Sequence, residues 1–510
     1  MQLKSLIAAL EEQPVQQWLT SGALNQAQEI TGLAYDSRKV TPGALFIAVP
    51  GSHTDGRAYL TDAAQRGAVA ALGPTLEGIL PSDVPTPLPY IIVRDVLSAL
   101  ADLACAFYAY PAQQLCTIGI TGTDGKTTTS NLIHTILREA GIRAGLMTTA
   151  NFKFDGQEWE NTTRQSTLEA LEVQQLLRRM VDEGITHAVI EATSHGLELQ
   201  RVRGCAFDVG VVTNITHEHL EFHKTLENYR RAKARLFEML DPARDKGRGA
   251  RPAAILNRDD ISYEILRPYC RVPIIDYAID QPAAIRAVDV RLDANRTRFR
   301  AVLPDAEVDI ETQLVGRFNV SNCLAAITTA WSQGIAPEIM ARALAMVTGV
   351  SGRMERIDEG QPFSVIVDYA HTPDSLAKVL ATLRPLTSGK LLLVFGSAGE
   401  RDVLKRPIMG RIAAQMADFF VITDEDPREE DSEKILREIA SGSEEEGKRE
   451  GHDFLCIADR TQAIATALAR AQAGDTILLA GKGHEQSIII GREKIPWDDR
   501  RVARERLRSL

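Results

Sequence analysis

Positive charge is in short supply: 58 Lys and Arg stand against 68 Asp and Glu over 510 residues, a formal net charge of −10. A broad surface for nucleic acid or anionic lipid needs the opposite balance, so neither partner is expected. No run of about 18 apolar residues occurs, which excludes a membrane-spanning helix of the usual kind. The six cysteines (105, 116, 205, 270, 323, 456) are scattered and form no C-x-x-C pair. That pattern predicts reduced, mostly buried thiols and a cytoplasmic protein. The first residues lack a basic stretch followed by an apolar core, so no secretory signal is expected. An internal repeat at fixed period is also missing. What remains, 44% hydrophobic and 25% charged residues, is ordinary globular composition. The length allows roughly two to four domains.

The chain is organised around Thr121–Thr129, TGTDGKTTT. An apolar run, Thr117-Ile118-Gly119-Ile120, leads into it. Leu132, Ile133, Ile136, Leu137 and Ala140 follow at helical spacing, with Gly141 as a stop signal. Strand, glycine loop and helix in that order are the context a phosphate-binding loop requires. Gly122 and Gly125 let backbone N–H groups turn toward a phosphate. Lys126 can balance the β/γ charge, the Thr127 hydroxyl can hold Mg²⁺, and the helix N-terminus adds its dipole. The strict G-x-x-x-x-G-K-[ST] pattern wants glycine where Ile120 stands, so this loop is tighter. An ordinary glycine turn is the bland alternative. The lysine–threonine pair and both flanks speak for an ATP site.

Three α/β domains are expected, with the active site in the crevice between them. Residues 1–97 read as a small unit with a strand at Ala44–Val49, a helix at Ala58–Arg66, and polar turns at 35–38 and 51–56. From 98 to 345, apolar runs at 116–120, 187–190, 207–213 and 253–256 alternate with helical patterns, as in a parallel sheet. Ligands then belong at the carboxyl ends of the strands, where Glu191, Asn214 and Asn257 fall. Ile285–Phe318 alternates and is Arg-rich, like antiparallel strands, and Asn319–Trp331 reads as a helix. Residues 346–510 look like a second doubly wound, Rossmann-like unit, with strands near 365–367, 391–395, 419–422 and 476–479. The charge run Ser443–Asp453 is most simply a solvated loop.

Several strand ends carry polar clusters. Glu191-Ala192-Thr193-Ser194-His195 closes one strand, and its carboxylate can reach a metal at the glycine loop. Thr216–His223 holds three histidines, His217, His219 and His223. It lacks the spacing of H-E-x-x-H and the ligands of a closed zinc site. Lys233, in Arg231-Ala232-Lys233-Ala234-Arg235, reads by itself as a solvent-facing helical lysine. Asp368–Asp374, Gly396–Asp402 and Gly481–Glu485 are three polar loops at strand ends of one sheet, which together point to a ligand site.

In order, the chain carries YDSR, TGTDGKTTT, NTT, EATSH, TNITHEHLEFH, AKARLF, NRDD, GRFNVSN, GRME, DYAHTPDSL, GERD, KRP, DEDPR and GKGHE. Their order and spacing over nearly the whole chain resemble the Mur ligases, ATP-dependent amide-forming enzymes of peptidoglycan synthesis. The resemblance implies a ligase adding a free diamino acid to UDP-N-acetylmuramoyl-L-alanyl-D-glutamate, with ATP and two Mg²⁺ sites. It implies that Tyr35, Ser37, Ser52, His53 and Thr54 face the uridine nucleotide. Asn161, Thr162, Thr163, Thr193 and Arg201 would hold the muramoyl-dipeptide. Gly122, Thr123, Asp124, Gly125, Lys126, Thr127 and Thr128 would hold the ATP phosphates, with Asn257, Arg353 and Asp368 near the adenosine. Thr127 and Glu191 would serve the first metal. His219 would serve the second, supported by Lys233 as a carbamate. Arg401, Glu425, Asp426, Pro427, Arg428, Gly481 and Glu485 would form the acceptor pocket.

This sequence departs from the family pattern at three points. Arg164 stands where NTTP is usual, and Leu199 stands where a glutamine is common. Glu425-Asp426-Pro427-Arg428 replaces the D-N-P-R of diaminopimelate enzymes. Arg428 suits the distal carboxylate of diaminopimelate, whereas Asp426 suits the side-chain ammonium of lysine or ornithine. The balance leans slightly to meso-2,6-diaminopimelate. Rival readings are a folylpolyglutamate-synthetase-like ligase and a non-catalytic P-loop module that senses ATP. A monomer is assumed.

Overall fold

The computed structural model describes residues 1–10, 18, 19, 25, 27–51, 54–75, 88–154, 156–161, 166–216, 220–293 and 296–509. A small N-terminal sheet of five strands runs from Trp18–Leu19 to Tyr90–Ile92, its inner strands parallel. The helix Val96–Phe107 packs on this sheet through Val96, Ala99, Leu100 and Leu103. The expected boundary at 97/98 therefore falls inside that helix.

A sheet of eleven strands forms the middle of the chain. Cys116–Thr121 lies between His187–Glu191 and Val209–Val212, parallel to both, and every residue of it is buried. A strand covered on both faces needs a continuous apolar run, and this one has it. Ile118 and Ile120 pack against Leu132, Ile133, Ile136 and Leu137 of the helix Lys126–Glu139. On the other face, a Cβ at Gly119 would stand 2.7 Å from Leu236 Cδ1 and 2.9 Å from the Phe207 ring. Glycine there lets the helix Leu226–Glu238 lie close on the sheet. The Arg-rich stretch forms the antiparallel strands Ile285–Leu292, Thr297–Val302 and Glu307–Thr312, as its alternation implies.

The last sheet has six strands, with Ser364–Asp368, Leu391–Phe395, Phe419–Ile422 and Thr476–Ala480 at its parallel core. A separate hairpin, Ser487–Ile490 with Glu493–Pro496, follows. The run from Ser443 is not a loop at its start: Ser443, Glu444 and Glu445 end the helix Ser432–Glu445, and Ser443 is buried. Its hydroxyl donates to Gly410 O at 2.9 Å, a partner the charge pattern does not reveal. Among the described residues no helix is long and apolar enough to cross a membrane. The six cysteines are free, four of them buried.

Candidate functional site

Register aligns the strand ends of the central sheet. Glu191 sits opposite Ile120 and Val212 opposite Thr121, so the loop after Thr121, the Glu191 carboxylate and Thr213-Asn214 meet at one edge. The loop turns through two left-handed glycines, Gly122 at φ +148° and Gly125 at φ +81°. A Cβ at the first would collide with Thr213 Oγ1, and at the second with Asn322 Oδ1. Only glycine permits this path. Asn214 braces the loop, accepting the Thr123 amide at its carbonyl (2.8 Å) and the Asp124 amide at its side chain (3.0 Å). The Thr123 hydroxyl lies 2.8 Å from that of Tyr229.

Lys126 and Thr127 open the helix that follows. The Lys126 ammonium donates to Thr123 O at 2.6 Å, and Thr127 Oγ1 to Glu191 Oε2 at 2.8 Å. Glu191 is 2% exposed and also accepts the Thr149 amide (3.1 Å) and hydroxyl (2.9 Å). A buried carboxylate flanked by two hydroxyls is an all-oxygen donor set, which fits a hard dication such as Mg²⁺. Thr149 was not foreseen; no motif marks it.

Lys233 corrects its own sequence reading. It is 1% exposed, with its ammonium 2.5 Å from Gly122 O and 4.5 Å from the Tyr229 ring centre. The signal was present: Tyr229, Ala232, Lys233, Leu236 and Phe237 follow helical spacing, and Lys233 lies on that apolar stripe. The flanking arginines hid it. His219, with Ser52, His53, Thr162 and Thr163, lies outside the described residues. Among the described residues no group of three or more His, Cys, Asp or Glu is placed to hold a metal.

Around this edge, Asn257 donates to Thr213 O at 2.7 Å. Asn161 donates to Thr148 O (3.1 Å), next to Thr149. Thr193 caps the helix Ser194–Glu198 and lies 3.0 Å from Thr167 Oγ1. Arg201 pairs with Glu169 at 2.5 Å and donates to Thr167 O at 3.2 Å. Tyr35 donates to Glu172 at 2.8 Å, joining the N-terminal sheet to the helix Ala170–Asp182. Burial, then Glu172, pushes its hydroxyl far above the ordinary tyrosine value. Ser37 is buried in a short turn capped by Asp36, while Thr54 is exposed.

The C-terminal unit reaches the same loop. Lys378, which no motif singled out, places its ammonium 2.8 Å from Asp124 Oδ2 and 2.6 Å from Asp374. Burial opposes ionisation of Asp124, but Lys378 outweighs it and holds the carboxyl below its usual range. Arg353 stacks 4.7 Å over the Tyr369 ring. Beside it, Asp368 accepts the Met354 and Ala370 amides at 2.7 and 2.8 Å, and burial raises its pKa.

Behind this lie the expected acceptor residues. Lys482, wholly buried, pairs with Asp426 at 2.9 Å and Glu485 at 2.5 Å. Asp426 is therefore already paired within the protein, which removes the sequence-based reason for giving it a ligand ammonium. Burial raises the Glu485 pKa against the pull of Lys482. His484 is pushed down to about 3, first by burial and then by Arg353, Arg500 and Lys482, so its ring is neutral near pH 7. Gly481 bonds its amide to Asp368 O at 3.1 Å. Pro427 O accepts the Glu430 amide at 3.2 Å. Arg428 sits at φ +58°, 3.9 Å from Glu400, and Arg401 is exposed.

Comparison with known proteins covers all three units. The Mur ligase middle domain model matches residues 120–330, the glutamate ligase domain model 352–483, and the Mur ligase catalytic domain model 29–108. The UDP-N-acetylmuramyl-tripeptide synthetase of Roseiflexus sp. is 49% identical over 94% of this chain and 95% of its own. The UDP-N-acetylmuramoyl-L-alanyl-D-glutamate–2,6-diaminopimelate ligase of Geobacillus kaustophilus is 41% identical over 93% and 94%. A solved diaminopimelate ligase of the same name superposes with a TM-score of 0.66 at 30% identity, covering 100% of this chain and 99% of its own.

Proposed function

The chain belongs to the Mur ligase family of ATP-dependent, amide-forming ligases, and we propose that it joins a diamino acid to the D-glutamyl carboxyl of UDP-N-acetylmuramoyl-L-alanyl-D-glutamate. The observation that carries the reading is the glycine loop braced by Asn214 and closed by the Thr127–Glu191 pair at the edge of the central sheet. The names of the Roseiflexus and Geobacillus relatives supply the substrate class. Similarity over nearly the whole chain leaves the folylpolyglutamate and ATP-sensor readings with less support.

In the proposed reaction a D-glutamyl carboxylate oxygen attacks the γ-phosphorus of ATP. The bond to the β–γ bridging oxygen breaks, giving an acyl phosphate and ADP. The neutral amine of the diamino acid then adds to the acyl carbon and loses a proton to solvent, and phosphate leaves. Charge neutralisation matters more here than a protein nucleophile. Lys126 and the loop amides hold the phosphates. Thr127 and Glu191 would hold Mg²⁺, which supplies further neutralisation of phosphate charge. Lys233, carbamylated, would become an anion beside the loop and serve a second metal together with His219. Asn161, Thr193 and Arg201 would position the dipeptide, and Tyr35 and Ser37 the nucleotide. Closure of the C-terminal unit would exclude water from the acyl phosphate. Such an enzyme works in the cytoplasm, where nucleotide precursors are made.

Phosphate release provides the test. It is expected only when ATP, the nucleotide-dipeptide and a diamino acid are all present. Release from ATP alone at the same rate would defeat the reading. For Lys233, replacement by Ala is expected to remove activity that short carboxylic acids partly restore; full activity without them would exclude the carbamate.

A further inference from the structure

Three loops, 396–402, 423–428 and 481–485, meet at the carboxyl edge of the C-terminal sheet. Their charges are unevenly matched. Lys482 is the cation for both Asp426 and Glu485, and Asp426 also accepts the Ile489 amide at 3.0 Å. Glu425 stands apart: it is 7% exposed, and its Oε2 accepts no hydrogen bond. That oxygen lies 3.3 Å from where a Cβ at Gly481 would stand, so the glycine (φ +108°) leaves open the space in front of it. The neighbouring Arg460 is committed elsewhere. It grips Asp499 at 2.8 and 2.6 Å and donates to the carbonyls of Asp424 and Ala480.

Four further atoms of these loops are also unmatched. Ser397 Oγ, Arg428 Nε, Asp424 Oδ1 and His484 Nδ1 are buried and make no hydrogen bond, although the other Asp424 oxygen accepts the Ser432 hydroxyl at 2.9 Å. The loop of Ser397 packs on Glu425, since a Cβ at Gly396 would stand 3.1 Å from the Glu425 amide nitrogen. Buried polar atoms without partners are costly, and several together mark a place that a ligand completes. Of these, the Glu425 oxygen is an acceptor suited to an ammonium, and Ser397 Oγ and Arg428 Nε are donors suited to a carboxylate.

We propose that the acceptor of this ligase is a diamino acid with a single carboxylate, lysine or ornithine in its simplest forms. Glu425 holds the ammonium that does not react, while Ser397 and Arg428 hold the carboxylate. This rests on the ligase reading and narrows it. A second carboxylate, as in diaminopimelate, would enter a site already carrying Glu425, Asp426, Glu485 and Glu400. Lys482 is shared between two of them, and Arg401 is exposed.

The test measures phosphate release with ATP and nucleotide-dipeptide fixed, offering L-lysine, L-ornithine or meso-diaminopimelate in turn. Lysine or ornithine is expected to exceed diaminopimelate in kcat/KM by roughly 10²-fold. Glu425→Gln is expected to raise the KM for the preferred acceptor about 10–100-fold, with Glu425→Asp recovering part of the loss. Thermal melting and ADP binding check that each variant folds. Diaminopimelate used as well as or better than the others by the unaltered protein would overturn the proposal and leave the ligase standing. So would an unmoved KM in a folded Glu425→Gln protein. No release with any of the three acceptors would instead overturn the ligase reading.

Discussion

The proposed phosphate loop and the proposed acceptor loops occupy equivalent places, at the carboxyl ends of parallel strands in two sheets of one chain. Their polar groups are handled differently. Around the proposed phosphate loop, Asn214, Thr213, Thr149 and Tyr229 bond Thr123, Asp124 and Glu191 from within the protein, and Thr121 Oγ1 is left as a buried atom without a partner. The cradle is thus pre-formed, and ligand atoms replace bonds that already exist. In the acceptor loops one buried lysine serves two carboxylates, while Glu425, Ser397 and Arg428 keep atoms without partners. A rigid cradle suits a cosubstrate whose triphosphate is always the same. An incompletely matched pocket suits the component that must be told apart from close analogues, because a missing partner there penalises the wrong ligand.

The largest expected effect falls on the pre-formed side. Lys126→Ala should lower kcat/KM for ATP on the order of 10³–10⁴-fold by steady-state phosphate release, with thermal melting little changed. A mild loss would mean that the loop amides suffice, and the contrast with the acceptor side would fade. On that other side, Lys482→Met leaves the buried Asp426 and the half-buried Glu485 without their cation. It should cost about 3–4 kcal/mol in denaturant unfolding of the C-terminal unit. An unchanged midpoint would show that those carboxylates are not held by Lys482.

A smaller effect concerns the support behind the acceptor loops. Arg406, wholly buried, grips Glu430 at 2.8 Å and holds its carboxyl down at about 2, against 4.5 for the free group. A depressed carboxyl contributes its full stability above pH 4.5 and loses it as pH falls through 2. Glu430→Gln should therefore cost about 2–3 kcal/mol at pH 7, with the gap to the parent protein closing between pH 4.5 and 2. A gap independent of pH would refute the pairing. The smallest expectation concerns the link between the two regions. Lys378 and Asp124 are both partly exposed, so Lys378→Ala should cost under about 1 kcal/mol in stability. Its mark should be a KM for ATP that loses part of its dependence on salt.

Much of the candidate site was legible because its requirements are local. A strand, two glycines, Lys-Thr and a helix follow one another along the chain, and the backbone alone brings them together. Glu191, Asn214 and Asn257 were visible as polar residues ending apolar runs. Lys233 was misread because its neighbours in sequence are arginines, while its neighbours in space are Tyr229 and the loop carbonyl of Gly122. Thr149 and Lys378 escaped because nothing local distinguishes them, while Lys482 stood in the GKGHE loop without any sign of the two carboxylates it pairs with. Each matters only for what another segment places beside it. The opening residues of the Ser443–Asp453 run were lost to the same cause, since Gly410 comes from a different helix.

By itself the sequence determined the order of three α/β units, the glycine loop between strand and helix and the set of strand-end motifs, since periodicity and turn chemistry act over a few residues. Only the tertiary structure decided which charges are spent and which are left over. Asp426 looks like a free carboxylate in the chain and is paired in the fold, whereas Glu425 beside it keeps an open oxygen. Desolvation and pairing depend on distances between segments far apart in sequence, and those distances exist only once the sheets have packed.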